Sequence, residues 1–154
     1  MTTRDAVDAV TADVRDHHIT LDETGLFNAM RHIGLLCHLT ARVAADAEYQ
    51  LAPNIADLPP ARTLGASAHH LGQAIAHYTQ ALAQLITLTT ARQDTLQPQP
   101  DALGHHSSLR VHLDDAGRAM AAARAALEAQ QHHPAASAPA PAHRHDSSAV
   151  RRRA

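Results

Sequence analysis

Apolar positions recur along most of the chain in alternating steps of four and three, the interval that keeps one stripe of an α-helix turned toward a partner helix. The longest run reads Leu64, Ala68, Leu71, Ile75, Tyr78, Leu82, Leu85, Thr89. A second reads Leu26, Met30, Ile33, Cys37, Thr40, Ala44, Ala47, Leu51, flanked by Leu36 and Val43, and a third reads Leu109, Leu113, Ala116, Met120, Ala123, Leu127. A shorter row, Val7, Val10, Val14, places His17 at its next seam position.

Punctuation between these rows sets the element boundaries. Proline removes a backbone donor and breaks helix interiors, and the eight prolines, at 53, 59, 60, 98, 100, 134, 139 and 141, leave the rows intact. Thr2 with Asp5 and Thr20 with Glu23 have the spacing of helix capping boxes, and Asp57 ahead of Pro59 and Pro60 reads as the start of a third helix. A fourth begins at Asp101 or at Ser108. The expected fold is therefore all-α: an antiparallel four-helix bundle over residues 1–133, with one short helix (3–18) and three long ones (22–51, 58–93, 101–132). Residues 134–154, rich in Ala, Pro, Ser and His, lack the large apolar side chains needed to offset ordering and are expected to be disordered.

Composition strengthens the helical reading. The 154 residues include 34 Ala and only three aromatics, Phe27, Tyr49 and Tyr78, which leaves little material for strands. There is no Lys, so all 13 fixed cations are Arg, set against 15 acids. The amino terminus is acidic from Asp5 and lacks the order of a secretory signal, and no apolar run approaches the length of a membrane span, so a cytoplasmic location and no membrane contact are expected. The single Cys37 has no internal disulfide partner and reads as a small buried residue.

Helix three carries a second row made of small residues, Gly65, Ala68, Gly72, Ala76, Thr79, Ala83, which suggests close packing against neighbours on two sides. Its opposite face, His69, Gln73, His77, Gln80 and Gln84, is polar but uncharged, a surface compatible with self-association. Because Ala and Thr at seam positions bury little area, a homodimer or hetero-complex through helix faces is expected, with Leu71, Ile75 and Tyr78 as the interaction residues to test first.

Candidate chemistry is sparse. A dinucleotide fingerprint and a P-loop are both absent, as is the Glu-x-x-His pattern of di-iron carboxylate bundles. None of the 14 His stands three or four residues from another, so no single helix holds a two-His chelate. His18 with Asp22, His112 with Asp115 and Glu128 with His132 have contact spacing, but each is half a site that a second helix would have to complete. His17, on an apolar stripe, reads as a hydrogen-bonded core or rim residue, with a pH sensor as the alternative. Residues 1–142 carry nine Arg against 14 acids, whereas residues 143–154 carry four Arg against one acid, so contact with nucleic acid or an acidic partner falls to the tail and its Arg151-Arg152-Arg153.

The leading expectation is a non-enzymatic helical interaction or accessory subunit without a cofactor. Behind it stand a nucleic-acid-associated regulator acting through the basic tail and a ligand- or metal-binding bundle using histidines of different helices.

Overall fold

A computed structural model describes residues 1–50, 59–93 and 101–129, and within them the chain forms four helices: α1 (Thr3–Asp16), α2 (Glu23–Tyr49), α3 (Ala61–Gln93) and α4 (Ala102–Glu128). No strand occurs among the described residues. The expected loops, the tail from 134 onward and Arg151, Arg152 and Arg153 lie outside them.

Around the bundle α1 touches α2, α2 touches α3, α3 touches α4 and α4 returns to α1, while the diagonal pairs make no close backbone approach among the described residues. Opposite chain directions are read from the cross-contacts. Arg92 Nη1 at the end of α3 donates to the Leu21 carbonyl ahead of α2 at 3.2 Å, while the rings of Tyr78 and His32 meet lower down. His105 bonds Gln84 at 2.6 Å while Asp115 lies near His77, and Arg4 reaches Glu128 while Arg124 reaches Asp8. Along each pair the number rises on one helix as it falls on the other.

Local chemistry explains the boundaries. Thr2 and Asp5 form the expected capping box, with the Asp5 amide donating to Thr2 Oγ1 and the Thr2 amide to Asp5 Oδ2. On α2 the cap is Asp22, not the expected Thr20. Asp22 Oδ1 accepts from the Gly25 amide at 2.9 Å, and Thr20 donates its hydroxyl to that same oxygen. A carboxylate held there also complements the positive end of the helix dipole. The chain crosses so tightly over this first turn that a Cβ on Gly25 would stand 1.7 Å from the Thr20 carbonyl oxygen, so glycine is required. Asn28, buried in α2, donates to the His18 carbonyl at 2.8 Å and holds the α1–α2 connection down.

The core follows the expected seams on α3 and α4. Leu64, Leu71, Tyr78, Leu85 and Thr89 are buried on α3, as are Leu109, Ala116, Met120, Ala123 and Leu127 on α4. Seam threonines leave no orphan hydroxyl, since Thr89 donates to the Leu85 carbonyl and Thr40 to that of Leu36 one turn back. Helix α2 departs from expectation. Its buried line is Ala29, His32, Leu36, Leu39 and Val43, one residue out of phase with the expected row, and Met30, Cys37 and Ala44 face solvent. The buried line includes a histidine, His32, which lowers its apparent hydrophobicity in sequence. Ala68 of the small row on α3 packs against the core, but the rest of that row points outward, with Gly65 and Gly72 meeting nothing within 4 Å of an added Cβ.

Candidate functional site

Leu71 and Tyr78 are buried and Ile75 is half-buried against the same core cluster, so the three residues expected to bind a partner pack α3 onto its neighbours instead. The row with the largest side chains becomes the interior by the same hydrophobic logic that singled it out. What remains outside is different chemistry. On α2 the line Phe27, Met30, Gly34, Cys37, Ala41, Ala44 is exposed throughout, and on α3 so is the line Gly65, His69, Gly72, Ala76, Thr79, Ala83, Ile86. Phe27 is 62% exposed, Met30 56% and Ile86 49%.

These two lines flank one seam. On α2 the residues that reach α1, Arg31 and Arg42, lie on the other flank, and on α3 the residues that reach α4, His77 and Gln84, do likewise. The lines therefore border the α2–α3 contact from outside. The α2 line is free of fixed charge from Phe27 to Ala44, with the exposed Glu23 and Glu48 at the next step on either end, and α3 carries no Asp, Glu, Lys or Arg from Thr63 through Ala91. Cys37, expected to be buried, stands exposed on this face as a free thiol.

Titratable chemistry gathers elsewhere. His17 is not the buried histidine: its ring is 42% exposed and its Nδ1 lies 2.8 Å from the Asp13 carbonyl, an ordinary helix-end contact. His32 fills that role at 1% exposure, with neither ring nitrogen bonded and its ring edge-on to Tyr78 at 5.3 Å. Burial holds its pKa below the ordinary 6.5, and the same desolvation pushes the Tyr78 phenol up to about 12. Asp13 is held below the usual carboxylate range by the Arg31 guanidinium, which grips it with two bonds, one of 3.0 Å.

Between α3 and α4 stand His77, His112 and Asp115. One ligand atom from each lies within 4.8 Å of the others, and all three side chains are half-buried. His112 and Asp115 project from one face of α4 at i and i+3, and α3 supplies His77, so the half site visible in sequence gains its missing member from the facing helix. The imidazole rings are 6.1 Å apart and tilted by 33°. Nδ1 of both is closed off from solvent and unbonded, His77 Nδ1 stopping 3.9 Å short of Asp115 Oδ2. The remaining expected half sites are not completed in this way. His18 is exposed on the α1–α2 connection, and Glu128 pairs with Arg4 and Arg124, while His132 lies outside the described residues.

An outer face with no fixed charge along its middle, on one side, and an interhelical His, His, Asp trio on the other thus define this four-helix bundle. No helix among the described residues is long and apolar enough to cross a membrane. No protein-family model, curated protein or solved structure matches the chain.

Proposed function

We propose that the chain is a non-enzymatic helical interaction subunit of the cytoplasm, and that its contact face is the outer side of the α2–α3 pair, docked on a second copy of itself. The single observation that carries this is the pair of exposed lines without fixed charge from Phe27 to Ala44 on α2, between the terminal Glu23 and Glu48, and from Gly65 to Ile86 on α3. A two-fold interface brings side chains near its axis close to their own symmetry mates, so a fixed charge there meets its like. A face without charges escapes that repulsion, and small residues such as Gly34, Ala41, Gly72 and Ala76 let helices approach closely while Phe27, Met30 and Ile86 supply apolar area. The exposed Cys37 thiol fits a reducing compartment, where it stays free.

The test places a like charge on each line. Light scattering of the full chain at micromolar concentration should report twice the 16.4 kDa protomer mass, and Ala41→Glu with Ala76→Glu should return it to 16.4 kDa with unchanged helicity. A parent chain that stays at the protomer mass refutes self-association.

A further inference from the structure

We propose that His77, His112 and Asp115 bind one divalent transition-metal ion of the zinc class, clamping α3 to α4. The site lies on the flank of α3 turned away from the outer lines and does not depend on self-association.

Three observations converge on it. First, the donors come from two helices that already touch, so an ion here adds a cross-link where the backbone register is set by packing; Gln84, seven residues after His77 on α3, and His105, seven before His112 on α4, hold the same register with a direct bond. Second, the spacing is open but reachable. Zinc binds imidazole and carboxylate at about 2.0–2.2 Å, which sets ligand atoms roughly 3.5 Å apart, so the trio must close by about an ångström. His77 at 32% exposure and Asp115 at 28% have the side-chain freedom to do so, and a water would complete the four ligands that zinc takes. Third, the two inward nitrogens lack any bond at all. A plain ion pair between His77 and Asp115 accounts for neither, because 3.9 Å is too long for a hydrogen bond and His112 Nδ1 would stay idle. Coordination uses both as electron-pair donors.

The donor set selects the ion class. Two imidazoles and one carboxylate suit zinc, cobalt, nickel or copper, whereas calcium and magnesium require oxygen ligands. Arg118 is the internal competitor: it pairs closely with Asp115 Oδ1 while Oδ2 faces His77. That cation is 71% exposed and can swing away when an ion arrives.

Zinc titration of the full chain against a chromophoric chelator, backed by the visible spectrum of the cobalt-loaded protein, tests the site. One tight equivalent is expected, with the intense cobalt bands of four-coordination and a rise in Tm on loading. His77→Gln with His112→Gln should weaken that equivalent by about 100-fold or more and abolish the Tm rise, whereas the exposed His69→Gln should change neither. Arg118→Ala frees Asp115 at an exposed position, so it should tighten binding, a gain that no unfolding artefact can imitate. Zinc bound by the His77/His112 double variant with parental affinity would assign the ion to other histidines and overturn the proposal. Unchanged or weaker binding by Arg118→Ala removes Asp115 from the ligand set and overturns it equally.

Discussion

The α1–α4 side of the bundle and the outer face of α2–α3 are both solvent-facing, yet they solve the problem of meeting water in opposite ways. Across α1 and α4, Arg4, Asp8, Arg124 and Glu128 alternate in sign within 2.8–4.0 Å of one another, and Asp13 with Arg31 continues the pairing onto α2. On the α2–α3 face Gly, Ala, Thr, Met and Phe present area without charge. The paired side is satisfied within one chain, because each charge there already has its opposite. The other side has no such internal partners, and the proposed self-association would cover it. The difference teaches that the exposed small residues of α3, which could have been read as filler, belong with the exposed large ones of α2 as one surface.

The largest effect that separates inside from outside is expected from truncating each in turn. Leu71 is fully buried, so Leu71→Ala removes its transfer energy and leaves a cavity, costing about 2–5 kcal/mol in urea unfolding. Met30 stands one helical step from the buried Ala29, and Met30→Ala should shift stability by no more than about 0.5 kcal/mol while weakening self-association. Equal destabilisation by the two would mean that Met30 is core and that the phase of α2 is wrong.

That phase marks the boundary of what the sequence discloses. The seams of α3 and α4 were legible because Leu, Met and Tyr recur there against Gln, Arg and Asp, and so was the Thr2–Asp5 cap. On α2, two adjacent lines both step by three and four, and the buried one contains His32 with Asn28 beside it. A polar ring in the interior lowers the apparent hydrophobicity of the true seam, so the neighbouring line with Met30, Ile33 and Cys37 reads better. The candidate metal trio was half legible. His112 and Asp115 are visible as an i, i+3 pair, but His77 belongs to them only through the register of α3 against α4. One signal could have found it: His77 with His112 and Gln84 with His105 are each equidistant from the point between residues 94 and 95, as partners in an antiparallel hairpin must be.

Acidification is expected to act on the interior before it touches the paired side, which sharpens the same contrast with an intermediate effect. His32 is neutral in both states at neutral pH. Below its ordinary pKa of 6.5 the unfolded chain takes up a proton that the buried ring resists, so stability falls as pH drops through 6.5, by at most about 1.4 kcal/mol per pH unit. Asp5, Asp13 and Asp22 have lowered values, and what they contribute is lost only as pH falls below 3.8. His32→Leu should flatten the first decline, leave the second, and at neutral pH stabilise the fold by about 1 kcal/mol by removing two unbonded buried nitrogens. A parental pH profile in that variant would move the sensitivity to other groups.

The smallest effect is expected on the charged side, and salt then separates the two surfaces. Arg124 bridges Asp8 at 2.8 Å and Glu128 at 3.3 Å, but all three side chains are 38–46% exposed, so solvent screens the pairs and Arg124→Ala should cost less than about 1 kcal/mol. Raising ionic strength from about 0.1 to 1 M shortens the Debye length from about 10 to 3 Å, which should erase most of the difference between Arg124→Ala and the parent. The proposed association through the α2–α3 face has no fixed charge between Glu23 and Glu48 to screen, and burial of apolar area persists in salt, so the dimer mass should hold over that range. Dissociation of the dimer by salt alone would transfer the contact from the uncharged face to the ion-paired one.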